Sequence, residues 1–180
     1  MQWIPVIVAA LAPGISLLAY FYWKDRYHSE PVPLVMRLFL FGALTVFPIM
    51  VIQRALILAL GNNSWLIAFG YSAGIEEFIK WILFMFVVAD HDHFDEPYDG
   101  IVYAVSISLG FATAENVMYA LLSYQSFAAL FVRALLPVSA HALFGVIMGY
   151  HAGRARFSSQ NRHIAWGMSL LLPFLYHGVY

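Results

Sequence analysis

The sequence predicts an all-α protein, a polytopic membrane bundle of about six transmembrane helices, and two observations carry that expectation. Hydrophobic residues make up 62% of the 180 and charged residues only 11%, a balance too apolar for a water-soluble domain. The apolar residues also fall in runs long enough to cross a bilayer, which takes about 20 residues as a helix. Lipid offers the backbone no hydrogen-bond partners, so such runs must satisfy their own amides, as helices do.

The first run, 2–23, lacks the basic flank of a secretory signal and outlasts a short signal core, so it reads as a retained span. The next runs are 34–60, 64–89, 98–124, 126–153 and 163–180. Short polar breaks separate them: 24–33, Gly61-Asn62-Asn63, an acidic HDHFDEP stretch from His91, a turn near Gln125, and 154–162. Lys24, Arg26, Arg37, Arg154, Arg156 and Arg162 all fall on one side when six spans alternate. That side is expected to be cytoplasmic, which places the N-terminus outside. The sixth run ends without a basic anchor, the pattern of a chain that continues beyond Tyr180. No repeat divides residues 1–180, which read as a single transmembrane domain.

Net charge is −1 and no long basic run exists, so the expected partner is the lipid bilayer and not nucleic acid. Cysteine is absent, which removes disulfides, thiolate metal sites and a cysteine nucleophile. Any catalysis must come from carboxylates, histidines or hydroxyls.

Several such groups lie inside the apolar runs, where a charge costs about 2.5 to 3.5 kcal/mol even on insertion-based scales. The third run carries Glu76 and Glu77, with Lys80 three and four residues on, close enough to neutralise part of their charge. The fourth contributes Glu115 and Asn116, the fifth His141, and the last His177. At 1.5 Å per residue, Glu76 lies about 18 Å, Glu115 about 11 Å and His141 about 22 Å below the outer helix ends, a spread that helix tilt must narrow. His141, Gly145, Gly149 and Gly153 recur every four residues, so the histidine shares a close-packing stripe and should face the bundle interior. Ser108, Ala112 and Glu115 likewise share one face. Structural polar contacts alone account poorly for so many intramembrane ionisable groups, which are functional by default.

Carboxylates beside histidines in a wet pocket can activate water, with glutamate as general base and histidine orienting, stabilising an oxyanion or holding a metal. Peptide hydrolysis is the natural reaction. An HExxH metal motif is absent. Asp25, Asp90, Asp92, Asp95 and Asp99 all sit in or beside loops, so no intramembrane aspartyl dyad forms. Residues 70–74 fit G-x-S-x-G but lie within a span, where small residues serve packing, instead of on a strand-to-helix elbow. His91, Asp92, His93, Asp95 and Glu96 could invite a metal, although a solvated acidic loop is the commoner arrangement. Arg54 and Arg133 are expected near outer helix ends, reaching head groups or carbonyls. Two other classes stay open: an ion- or proton-coupled transporter, since buried acids and histidines also build relays, and a non-catalytic membrane scaffold. No duplicated halves support the transporter.

Glu76-Glu77-Phe78-Ile79-Lys80, then FDEPYDGIVYAVSISLGFATAEN ending at Asn116, then RALLPVSAHALFGVIMGYH, then His177-Gly178-Val179-Tyr180 together resemble the PrsW family of intramembrane proteases. The likeness covers nearly the whole chain and extends, more distantly, to CAAX-processing and bacteriocin-immunity membrane proteases. It implies a transmembrane protease domain in a bacterial cell membrane, making the site-one cut in a single-pass anti-sigma factor, RsiW, during an envelope stress response. It places the family's glutamate pair on Glu76 and Glu77, its FxxxE element on Phe111 and Glu115, and its histidines on His141 and His177, with Lys80 and Asn116 in support. The distant group has His where Glu115 stands and Arg where Lys80 stands, so its site does not transfer unchanged. A metalloprotease reading puts Zn2+ on His141, His177 and Glu115 with Glu76 or Glu77 as base. The other reading needs no metal.

Overall fold

The computed structural model describes residues 3–25, 28–122 and 127–180. Arg26 and the turn near Gln125 lie outside the described residues. The chain is all-α: α1 (Trp3–Lys24), α2 (Val32–Leu60), a π-helical stretch (Leu66–Gly74) running into α3 (Ile75–Val87), α4 (Pro97–Leu122), α5 (Phe127–Arg133), a π-helical turn (Ala134–Val138) running into α6 (Ser139–Phe157), and α7 (Arg162–Val179). Among the described residues four stretches are long and apolar enough to cross a membrane: Ile4–Lys24, Val32–Leu60, Pro97–Leu122 and Phe131–Phe157. The third and sixth runs are helical too, the third divided between π and α geometry. The protein is a membrane-embedded helical bundle.

Its axis is α4. This helix buries residues on every side, among them Val102, Val105, Ile107, Leu109 and Ala112, and is flanked by α1, α2 and α6. Glycines set how closely the neighbours approach. On α6, a Cβ at Gly149 would stand 2.1 Å from the Gly100 carbonyl oxygen, and one at Gly153 2.4 Å from that of Pro97. On α2, a Cβ at Gly42 would meet the Ile107 carbonyl at 2.0 Å. The every-fourth-residue stripe is thus the seam between α6 and α4, and His141 rides on it, buried. Outward faces carry Leu44, Phe47, Phe86, Leu143 and Leu175, all exposed, as lipid contact requires.

Three connections meet at one end of the bundle. Tyr98 Oη donates to the Phe21 carbonyl at 3.2 Å, and the Arg156 guanidinium bonds the carbonyls of Ala89 and Phe94. The basic residues Lys24, Arg154, Arg156 and Arg162 belong to this end, as helix alternation requires.

Because its neighbour is backbone, Gly149 has no room to yield. A Gly149→Ala substitution is expected to lower stability in detergent by about 2 kcal/mol or more, read as a drop in thermal unfolding temperature. Gly167→Ala, with open space around the new methyl, is expected to leave it unchanged or slightly raised.

Candidate functional site

Both π-helical segments lie immediately upstream of residues expected to matter. Gly74 ends the first and Glu76 and Glu77 follow on the opening turn of α3; Val138 ends the second and His141 follows on the opening turn of α6. Pro137 has no N–H to give the regular ladder, a local cause for the widened turn in front of α6. Such insertions re-aim the residues after them.

Glu77 and Lys80 are fully buried and Glu76 nearly so. Lys80 Nζ donates to Glu77 Oε1 at 2.8 Å, lies 4.0 Å from Glu76 Oε2 and reaches His141 Nδ1 at 3.0 Å. It also rests 4.3 Å over the Phe111 ring. An ammonium only donates, so this contact makes His141 Nδ1 an acceptor and puts the ring proton on Nε2. That nitrogen is 4.0 Å from both Glu76 Oε2 and Glu115 Oε2.

His177 in its neutral form takes the opposite tautomer. Its Nδ1 is 2.9 Å from Glu77 Oε1, which accepts, leaving a lone pair on Nε2 that faces Glu76 Oε2 at 3.9 Å. The ring stacks on Phe144 at 4.9 Å between centroids, which fixes its plane. Glu76 Oε1 accepts from Gln53 Nε2 at 2.9 Å and Ser72 Oγ at 3.1 Å. Its Oε2 is buried without a hydrogen-bond partner among the described residues, as is Glu77 Oε2.

Glu115 stands at the edge, where Arg133 Nη2 donates to its Oε2 at 3.3 Å. Arg133 Nε donates to Asn116 Oδ1, and Asn116 Nδ2 donates to the Ala10 carbonyl at 3.1 Å, so Asn116 ties α1 to this corner. Arg133, expected near an outer helix end and reaching head groups or carbonyls, finds its partners in the Glu115 carboxylate and the Asn116 side-chain oxygen. Gln53 escapes a reading of sequence, being a neutral residue with no pattern to single it out, and Ser72, at the centre of the G-x-S-x-G match, acts as a hydrogen-bond donor to Glu76 and not only in packing.

Glu76, Glu115, Arg133, His141, His177 and Tyr180 line a cleft of about 150 Å³, room for several waters. Ser72, His177 and Tyr180 also line an adjoining groove of about 380 Å³ that runs to Ser64, at the end of the bundle away from the basic connections. Donor atoms of Glu76, Glu77, His141 and His177 lie within 4.8 Å of one another. Two imidazoles and two carboxylates are a donor set that suits zinc, and the two unpartnered carboxylate oxygens fit a cation. Glu115 lies outside this group, held by Arg133.

A model of the PrsW family of intramembrane metalloproteases matches residues 30–180. Curated relatives named "Protease PrsW" match over most of their length. That of Geobacillus kaustophilus is 53% identical over 97% of this chain and 77% of its own. That of Bacillus subtilis is 51% identical over 97% and 80%, and that of Clostridioides difficile 32% identical over 92% and 74%. No solved structure matches the chain.

Removing Lys80 leaves Glu77 buried without its counter-charge. Lys80→Met is expected to destabilise the fold by about 3 to 5 kcal/mol, and adding Glu77→Gln to recover part of that loss. A thermal-unfolding double-mutant cycle checks the coupling; additive effects would contradict it.

Proposed function

The chain belongs to the PrsW family of intramembrane metalloproteases and is a membrane-embedded peptidase, and from that premise we propose that Glu76 activates the water that splits the peptide bond. The observation that carries the proposal is Glu76 Oε2: buried, unpartnered, and within 4.0 Å of an imidazole N–H on one side and an imidazole lone pair on the other.

In this reading a water in the cleft gives its proton to Glu76 Oε2 as its oxygen bonds the scissile carbonyl carbon. The His141 Nε2–H points toward the same space and stabilises the oxyanion. Glu76 then returns the proton to the departing amine nitrogen as the C–N bond breaks. Glu77 keeps His177 in the tautomer that directs Nε2 at the water, and Lys80 offsets the charge of the glutamate pair. Glu115, paired with Arg133, borders the cleft as a supporting carboxylate, and Asn116 holds Arg133 in place.

A zinc ion would be held by His141 and His177 with the unpartnered Glu77 Oε2 or with Glu115 as the carboxylate, leaving Glu76 as the base. When bound it would polarise the carbonyl and lower the pKa of its water.

The substrate we propose is a single-pass anti-sigma factor, RsiW, cut in its extracytoplasmic part as the first step of an envelope stress response. Two features support it. The groove leads away from the basic connections, which the positive-inside rule assigns to the cytoplasm of a bacterial cell, with the N-terminus outside. Its lining of Ile67, Ala68, Ser72 and Gly178 presents small and apolar side chains suited to a substrate segment leaving the bilayer.

Reconstituted with that substrate, a folded Glu76→Gln, Glu77→Gln double mutant is expected to cut at least about a hundredfold more slowly. Full cleavage by it would sink the proposal. Elemental analysis is expected to find zinc lost with activity on chelation and regained with it; activity indifferent to metal loss would assign water activation to Glu76 alone.

A further inference from the structure

A second group of carboxylates is buried at the end of the bundle where the basic connections meet, about 24 Å along α4 from Glu115. It draws on three segments: Asp25 after α1, Glu30 before α2, and Glu96 and Asp99 at the start of α4. Asp99 is fully buried, Glu30 and Asp25 nearly so. The loop read as solvated is therefore split. Asp92, His93 and Asp95 are exposed, whereas Glu96 is partly buried beside Asp99, the first acid of α4.

One Asp99 oxygen has a structural task. Oδ2 accepts from the backbone N–H groups of Asp95 at 3.0 Å and Glu96 at 2.7 Å, capping the first turn of α4. The other, Oδ1, is buried with no partner among the described residues, and so is Glu96 Oε1. Donor oxygens of Asp25, Glu96 and Asp99 lie within 4.8 Å of one another. A helix N-terminus supplies only about half a positive charge, too little for Glu96 and Asp99 together. Among the described residues no Lys or Arg pairs with Glu30, Glu96 or Asp99. Arg156, at the same end, spends its guanidinium on the carbonyls of Ala89, His91 and Phe94 and on Asp90.

We propose that Asp25, Glu96 and Asp99 hold a hard divalent cation, Ca2+ or Mg2+, separate from the glutamate–histidine cleft. Oxygens sharing one Ca2+ at 2.3 to 2.6 Å can stand up to about 5 Å apart, and those sharing Mg2+ up to about 4.2 Å. The observed spread suits the looser calcium shell without adjustment and the magnesium shell after a small contraction. Tyr103 Oη bonds Glu30 Oε2 and donates to the His93 carbonyl at 3.0 Å, so Glu30 borders the ion while the three carboxylates ligate it. Bound there, the ion ties the α1–α2 connection to the start of α4.

The test uses the full chain in detergent, free of chelator, with three readouts: Ca2+ titration, Mg2+ titration, and luminescence of Tb3+ as a calcium surrogate sensitised by Tyr98 and Tyr103. Either divalent ion at millimolar level is expected to raise the unfolding temperature, and Ca2+ to displace Tb3+. Asp99→Asn and Glu96→Gln are each expected to weaken binding about tenfold or more. Glu96 is only partly buried, so its variant tests the ligand role even if loss of the Asp99 cap prevents folding. Glu76→Gln is expected to keep the full response. Equal binding by Glu96→Gln, loss of the response in Glu76→Gln, or a wild type that responds to pH but to neither ion would overturn the proposal.

Discussion

Two adjacent glutamates cannot sit ionised in a bilayer interior unless something offsets their charge, and Lys80 does so from one turn away on the same helix. Its ammonium is itself fully buried, so the arrangement holds only because every one of its contacts is favourable: Glu77 at 2.8 Å, His141 at 3.0 Å and the face of Phe111. The rest of the centre follows from that placement. The lysine fixes the tautomer of His141, Glu77 fixes that of His177, and between the two rings Glu76 keeps one oxygen uncommitted. Two histidines of the same type thereby face the cleft with opposite chemistry, one offering a proton and the other a lone pair.

Backbone geometry delivers these side chains. α6 can bring His141 to Lys80 only because Gly145, Gly149 and Gly153 let it lie against α4 with almost nothing between the two backbones. The π-helical segments before α3 and α6 set the rotation at which each enters the layer. Trp81 Nε1, donating to Ser169 Oγ at 2.9 Å, anchors α7 against α3 so that His177 arrives from the third direction. Packing and chemistry are thus coupled. A shift of one helix along the glycine seam would break the Lys80 contact before it disturbed the core.

Much of this was legible in the sequence. Apolar runs located the helices, the four-residue recurrence in α6 identified its packing face, and the intramembrane acids and histidines marked the layer where helices meet. Depth was not legible. Counting 1.5 Å per residue from the helix ends spreads Glu115 and His141 by about 11 Å, yet their side chains approach to 4.0 Å. Constant rise fails where π-helical turns and Pro137 alter the axis, and nothing in a string of Ala, Leu and Val announces a π-helix. The partners of Arg133 were not legible, because snorkelling and inward pairing look alike until the partner is known. The inward turn of Glu96 was hidden for a related reason: a loop rich in acids reads as solvated, and only the fold reveals that its last acid sits against the start of a buried helix.

The environment of α4 bears on how the protein is made. Ser106, Ser108, Thr113, Asn116 and Asp99 are all buried on it, and no broad greasy face remains to confront acyl chains. Released alone from the translocon, such a segment would place these polar groups in hydrocarbon. Gly42 on α2 and close contact with α1 offer it a ready berth, and both helices precede it in synthesis. Biogenesis should therefore be ordered, with the first two hairpin arms waiting in the bilayer as a receptor for a helix unable to dwell there unaccompanied.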